Sequence, residues 1–302
     1  MQAPVLPPRS NVIAVRLQFA VELNYEVMSP GADFIFNLQA AATRQQRVLH
    51  ERLSLSQPLR PEVFVDAQTQ ARHLRLRAVP GLLRLVQEAT VEVRFHRSAT
   101  HRLREVPVAE LPAGVLAYLY PSRYCESDRL HQFAVQQFGA LPRGYARVQA
   151  IRDWVHRHVA FTPNSSSSTT SAGDTLASGR GVCRDFAHLM IALCRAVNIP
   201  ARFVTGFDFG ADPALGPSDF HAYVEVWLGQ RWYLFDPSGT AIPMGFVRLA
   251  TSRDAADAAF ATIFGPVRSS PPVVNICAVA DDNGRVVHPE HVSDALSTDG
   301  PD

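Results

Sequence analysis

Hydrophobic and polar residues alternate along much of the first hundred positions, as is typical of strands with one buried face. Val91, Val93 and Phe95 fall on one side of such a strand, and Glu92 and Arg94 fall on the other. Runs with this character are separated by Gly/Pro turn signals, and they predict strands over Val12–Val27, Asp33–Leu38, Val63–Val65 and Thr90–Phe95. We therefore expect an antiparallel, sandwich-like domain over residues 1–110.

The spacing of apolar residues changes to three and four after a Pro-bounded connector, which we place at 111–144. It predicts helices near Asp128–Phe138 and over Tyr145–His158, and a loop at the Ser/Thr-rich Asn164–Ser171. The strongest helical pattern begins near Cys183 and is stopped by Asn198-Ile199-Pro200.

Strands return in the last third of the chain. We predict them over Ala201–Phe207, His221–Trp227, Trp232–Phe235 and Pro272–Ala280, with Arg253–Phe264 either helical or irregular. The chain then becomes polar and rich in turn residues, so we expect a disordered tail over 286–302. The fold class is α+β, with a second domain over 145–285 that includes the late strand.

Composition narrows the range of functions. The 302 residues carry a formal net charge of +1, which gives no bulk attraction to nucleic acid or to an anionic membrane. No apolar run approaches the ~18 residues of a membrane span, and the N-terminus lacks the apolar region of a signal peptide. All 29 basic residues are arginines, so a lysine Schiff base and a P-loop lysine are excluded.

Four cysteines are present, without a CxxC pair, an HExxH motif or another zinc-ligand spacing. Four cysteines with this scattered spacing are typical of free thiols in a reducing compartment. We expect a cytoplasmic protein with neither metal nor cofactor.

Cys183 is the first candidate for chemistry. Gly179 and Gly181 precede it and a helix follows it, which places the thiol at a helix N-terminus. The N–H groups and the dipole at that end of a helix favour a thiolate and can receive an oxyanion. A cysteine nucleophile also needs a base and a group that orients the base.

The predicted strands His221–Trp227 and Trp232–Phe235 supply candidates for the base and for the group that orients it. If they pair about Leu228-Gly229, His221 lies directly opposite Asp236, as a carboxylate must to orient an imidazole. A slip of one residue would move Asp236 to the other face of the sheet. Tyr223 lies on the face of His221 and is a candidate substrate-binding residue, or else a core aromatic.

Each of these residues also has a purely structural interpretation. A buried Cys is more often a core residue, and a lone His is more often structural. We interpret Cys194, His188, Arg184 and Asp185 as structural. The loop Phe207–Phe220 contains Asp208, Asp212 and Asp219, which either favour a cationic substrate or are simply solvated carboxylates.

Three sequence blocks contain the Cys, His and Asp candidates in that order: GVCRDFAHLMIALCRAVNIPARFVTGF, then HAYVEVW, then WYLFDPSG. The chain resembles the bacterial transglutaminase-like family, including the β-rich region that precedes the core in many members. The resemblance implies a papain-like core with Cys183 as nucleophile, His221 as base and Asp236 as orienting acid.

The resemblance leaves the reaction open. Our leading hypothesis is hydrolysis of an amide bond in a peptide or protein substrate through a thioester. The alternatives are acyl transfer to an amine, as in a transglutaminase, and a degenerate core that serves as a binding or scaffold module.

Overall fold

The structure is a computed structural model and describes residues 12–210 and 220–299. Its longest ladder joins two antiparallel strands, β1 (Val12–Val27) and β6 (Gly81–Ser98). Every second side chain of β6 is buried from Leu83 to Phe95, as the alternation in the sequence predicts. A third strand, β3 (Gln46–Leu55), pairs with β6 on its other side.

A second sheet faces the first. It contains β2 (Ala32–Phe36), β4 (Glu62–Val65) and β5 (Arg72–Ala78), with β5 in the middle of the three. Leu17 and Phe19 of β1 share one hydrophobic core with Phe34 of β2 and Leu74 of β5. The N-terminal region is therefore the antiparallel sandwich that the pattern predicts.

The middle of the chain is helical. Short 3₁₀ turns at Thr100–Arg102, Val108–Glu110 and Ala113–Leu119 lead into the helices. These are α1 (His131–Phe138), α2 (Tyr145–His158), α3 (Ala172–Ser178) and α4 (Cys183–Ala196). Two short strands between them, β7 (Ala160–Phe161) and β8 (Arg180–Gly181), pair in parallel.

A four-stranded antiparallel sheet packs on α4. It contains β9 (Ala201–Asp208), β10 (Phe220–Leu228), β11 (Arg231–Phe235) and β12 (Phe246–Ser252), in the order β11-β10-β9-β12. A 3₁₀ turn at Pro243–Gly245 precedes β12. From Asp185 to Ala196 every residue of α4 is buried, because α4 is covered by this sheet and by the other helices.

The last part of the chain returns to the sandwich. Strands β14 (Val267–Ser269) and β15 (Val273–Ala278) pair with β1, and β13 (Ala261–Phe264) pairs with β2. The late strand, which we predict as part of the second domain, thus belongs to the first sheet. The expectation that Arg253–Phe264 is helical or irregular is wrong for its last four residues, because β2 offers a free edge there.

The expectation of a disordered tail is also wrong within the described residues. Strand β16 (Ala295–Ser297) pairs with β6, and its three residues are buried. Polar composition alone predicts disorder here, but hydrogen bonds to a distant strand order the segment. In the described part of the chain, no helix is both long and apolar enough to cross a bilayer.

Candidate active site

Cys183 is the first residue of α4, at the mouth of a cleft between the helix and the four-stranded sheet. The side chain of Asp185 accepts hydrogen bonds from the N–H of Val182 (2.9 Å) and the hydroxyl of Ser166 (2.9 Å). At Gly181, a Cβ atom would lie 2.7 Å from the Cβ of Asp185, so a glycine is required there. These contacts shape the turn that presents Cys183, and they support the structural interpretation of Asp185.

His221 and Asp236 lie together, although by a different strand register from the one predicted. The turn of the hairpin lies at Gly229-Gln230, so that Leu228 pairs with Arg231 and Val224 with Phe235. Asp236 is therefore diagonal to His221 and not directly opposite it. The pairing is offset by two positions, which keeps both side chains on the same face.

The Nε2 atom of His221 lies 3.5 Å from Oδ1 of Asp236. That distance is too long for a well-formed hydrogen bond but is within the range of an ion pair. Asp236 is itself held in place: Oδ1 accepts from the N–H (3.0 Å) and the hydroxyl (2.6 Å) of Ser238, and Oδ2 accepts from the N–H of Ala241 (3.1 Å). The Asp-Pro-Ser-Gly turn thus fixes the carboxylate on the imidazole.

The imidazole of His221 also forms a hydrogen bond with the thiol of Cys183. Burial alone would lower the pKa of His221, but the charge of Asp236, hydrogen bonds with Asp236 and Cys183, and the charge of Asp208 raise it well above its usual range. Conversely, burial would raise the pKa of Asp236, and the His221 charge and hydrogen bond bring it below the ordinary value. The site therefore favours a charged imidazole beside the sulfur.

Asp208 is the functional candidate that sequence reasoning undervalued. It ends β9, is 4% exposed, and places Oδ2 3.1 Å from Nδ1 of His221. The interpretation of a solvated loop carboxylate is wrong for Asp208, while Asp212 and Asp219 lie outside the described residues. The strand register explains its position: Gly206 pairs with His221, so Asp208 is diagonal to His221 on the same face.

A cavity of about 810 Å³ opens in front of these groups. Its walls combine aromatic rings and alanines with a few polar side chains. Cys183, Asp208 and His221 line it together with Tyr124, Phe161, Asn164, Ser166, Arg184, Phe203, Thr205, Phe220, Ala255, Ala258 and Phe260. The size and the mainly apolar walls are those of a site that receives an organic substrate.

Tyr223 does not reach this cavity. It is 1% exposed, and its ring stacks on that of Phe246 with 4.2 Å between the centroids. The interpretation of Tyr223 as a substrate-binding residue is therefore wrong, and it is a core aromatic beneath His221. It faces the sandwich side of the sheet, where a large buried ring fills the core.

His188, Cys125, Cys194 and Cys277 do not line this cavity. His188 is fully buried, accepts a hydrogen bond from the N–H of Ala255 (3.1 Å), and stacks on Tyr124. All four cysteines are free, but burial raises the pKa of Cys125 to about 12 and that of Cys194 above the ordinary range. Only Cys183 and Cys277 among the four have exposed surface for a reagent to reach.

Two family models match the chain. The one described as the transglutaminase-like superfamily matches residues 131–237, which contain all three residues of the predicted triad. The other, described as the N-terminal domain of bacterial transglutaminase, matches residues 15–114. The first match covers the four helices and strands β9 to β11, and the second covers most of strands β1 to β6 of the sandwich.

A solved structure from Cytophaga hutchinsonii, named as a candidate cysteine protease, is similar over nearly the whole chain. It shares 38% identity with a TM-score of 0.87, over 94% of this chain and 98% of the other. Uncharacterised proteins of Mycobacterium leprae (31% identical, 37% of this chain) and Mycobacterium tuberculosis (32%, 43% of this chain) are similar over shorter stretches. Those stretches span 42% and 45% of the two mycobacterial proteins, so the match covers less than half of each.

Proposed function

Because this chain belongs to the transglutaminase-like superfamily, we propose that it is a cysteine-dependent amide-bond hydrolase acting on peptides or proteins. One observation carries the proposal. The thiol at the start of α4 adjoins an imidazole that is paired with a fixed carboxylate, and all three groups meet at one cavity. The similarity to a candidate cysteine protease over nearly the full length supports the choice of hydrolysis.

Acylation begins with Cys183 as thiolate and His221 as imidazolium. The sulfur attacks the amide carbonyl and forms a C–S bond, and the oxyanion receives hydrogen bonds from N–H groups at the start of α4, which have no acceptor within the helix. When the C–N bond breaks, His221 gives its proton to the leaving amine. A thioester and a neutral imidazole remain.

Deacylation reverses the proton flow. Neutral His221 takes a proton from a water molecule while the water oxygen attacks the thioester carbonyl. The C–S bond breaks, the acid product leaves, and the thiolate and imidazolium are restored. Asp236 stabilises the imidazolium in each cycle and keeps the ring in its plane.

We expect a partly apolar segment of the substrate near the scissile bond, because much of the cavity wall is apolar. Phe220 and Phe260 stack on one another at its rim, with 4.2 Å between the ring centroids. Ala255, Ala258 and Phe203 supply further apolar surface. Such walls bind side chains through burial of apolar area, about 25 cal/mol for each Å² removed from water.

The test is digestion of a peptide library, followed by mass spectrometry, with and without a primary amine. We expect cleavage by the wild type and by Cys277→Ala, which removes the other accessible thiol, and no cleavage by Cys183→Ala. Cleavage that survives Cys183→Ala in a folded protein contradicts the proposal. Amine adducts in place of acids would assign acyl transfer instead, and an alkylation rate of Cys183 no faster than that of Cys277 would assign a non-catalytic module.

We also propose the cytoplasm as the compartment. The four free thiols support this assignment, since thiols persist in a reducing environment. Fractionation of the source cell with an antibody against the protein tests it, and recovery with periplasmic or secreted proteins would contradict it.

A further inference from the structure

His221 lies between two carboxylates on two different strands. On β9 the residue directly opposite His221 is Gly206, which has no side chain, and Asp208 is two positions further along. On the other side, Asp236 occupies the matching diagonal position. Each ring nitrogen therefore faces one buried carboxylate: Nδ1 faces Asp208 at 3.1 Å, and Nε2 faces Asp236 at 3.5 Å.

The two nitrogens have different tasks. Asp236 occupies the side of Nε2 and is anchored by the turn that follows β11. The proton that His221 exchanges with the cleft therefore travels through Nδ1, which is the nitrogen that Asp208 faces. Asp208 also lines the cavity, so a leaving amine within reach of Nδ1 is within reach of Asp208 as well.

A ring with a carboxylate at each nitrogen is best satisfied when both nitrogens carry a proton, since both N–H groups then donate. The neutral ring would direct a lone pair at one of the two carboxylates. His221 and Asp208 are 5% and 4% exposed, so water screens this interaction only weakly.

We propose that Asp208 is a positioning residue that holds His221 through Nδ1 as an imidazolium, so that the resting enzyme stores the proton it later gives to the leaving amine. The proposal rests on the proposed function, because it takes His221 as the acid and base of the reaction. Asp208 neither takes nor gives a proton in the reaction. It orients the imidazole ring and balances the charge of the ring.

Other charged and titratable groups near His221 do not supply this effect. Phe246 of β12 packs on the ring with 5.3 Å between centroids and does not titrate, and burial raises the pKa of Tyr223 so that it stays neutral. Within residues 12–210 and 220–299, the charged and titratable groups that face the ring or line its cavity are Cys183 and Arg184 of α4, Asp208 of β9, Tyr223 of β10 and Asp236 after β11, together with Tyr124. Asp208 and Asp236 are the anionic carboxylates among them.

The experiment needs no substrate. The rate at which iodoacetamide alkylates Cys183 is followed from pH 4 to 9 by peptide mass spectrometry, in the wild type and in Asp208→Asn, Asp208→Glu and Asp257→Asn. In Asp208→Asn we expect the step of the profile at which the imidazolium of His221 loses its proton to move down by about one pH unit, because the carboxylate that favours the charged ring is gone. Asp208→Glu should restore most of the wild-type profile, because it restores the charge.

Asp257→Asn is the matched control. It removes the same charge from the exposed rim, where Asp257 pairs with Arg253, and it should leave the profile unchanged. If Asp208→Asn melts at the wild-type temperature and has the wild-type profile, Asp208 is only structural and the proposal is wrong. If Cys183 of the wild type is no more reactive than Cys277, both this proposal and the proposed function are wrong.

A second measurement covers the case in which Asp208→Asn does not fold. In wild-type protein labelled with ¹⁵N-histidine, both ring nitrogens of His221 should have protonated chemical shifts at pH 7, with the signals assigned by comparison with His221→Gln. A neutral ring at pH 7 would overturn the proposal even if Cys183 is reactive.

Discussion

Two histidines, His221 and His188, are buried, and their surroundings favour opposite charge states. Around His221, two carboxylates and the thiol outweigh the cost of burying a charge. Around His188, burial dominates and lowers the pKa to about 3, because the charge of Asp254 offsets only part of it. His188 is therefore neutral, and its Nε2 atom accepts from the backbone of Ala255.

His188 should make the protein sensitive to mild acid. Between pH 6.5 and about 3 the unfolded chain binds a proton at this position and the folded chain does not, so the free energy of unfolding falls as pH falls, by about 1.4 kcal/mol per pH unit. His188→Gln keeps an acceptor for Ala255 and does not titrate. Urea unfolding at pH 7, 6 and 5 should show a shallower pH dependence for the variant, and parallel curves would contradict this account.

Among the strands, the approach of β9 to β12 is unusually close. At Gly206, opposite His221, a Cβ atom would lie 2.2 Å from the carbonyl oxygen of Val247. The backbone of β12 thus occupies the space that a side chain would need. This contact brings β12, with Phe246 under the imidazole, against the strand that carries Asp208.

Gly206→Ala should therefore destabilise the protein by about 1–3 kcal/mol, since backbone atoms must shift to admit the methyl group. The matched control is Gly114→Ala, where a Cβ atom would meet nothing within 4 Å. The control should change stability by less than about 0.5 kcal/mol. Equal midpoints of urea unfolding for the two variants would show that β12 can move away without cost.

The elements show where sequence patterns suffice and where they do not. Helix α2 and strand β1 have the predicted bounds, because their periodicity is long and is set by one local geometry. The short α3 has too few residues for a periodic signal, and it is defined by its cap: Ser171 accepts from the N–H of Asp174. Disorder was expected at β16, whose order depends on a partner two hundred positions away.

The candidate site follows the same division. Cys183 could be predicted from its glycines and helix, and the shared face of His221 and Asp236 from the period of two in strands. The hairpin register could not, because the turn could be placed one position either way; Gly229, with φ near 60°, favours the observed turn. Asp208 required the pairing of β9 with β10, which no local pattern specifies.

At the scale of the whole molecule, the strand β16 joins the sandwich to the four-stranded sheet. Leu296 is buried in the core of the sandwich, and Ala295 in the core around α4. Asp299 pairs with Arg202 and Arg248, which both contact the fully buried Glu225. The C-terminal segment therefore adds a hydrophobic contact and an ion-pair network to the core that the two halves share.

Leu296→Ala should reduce the free energy of unfolding by about 2–5 kcal/mol. Leu82→Ala is the matched control, because that leucine is 65% exposed and should lose little. The three tryptophans lie outside the sandwich strands, so their fluorescence reports the other half. A single transition at lower urea should appear for Leu296→Ala; an unchanged tryptophan transition would show that the halves unfold independently.

The return of β13, β14 and β15 to β1 and β2 also sets an order of events during translation. Strand β1 keeps one edge open until some 250 residues later, when β14 and β15 emerge. The helices and the four-stranded sheet are complete by residue 252 and precede those partners. The helices and the four-stranded sheet can thus form before the sandwich is complete, and a chaperone that shields the open edge of β1 would act throughout that interval.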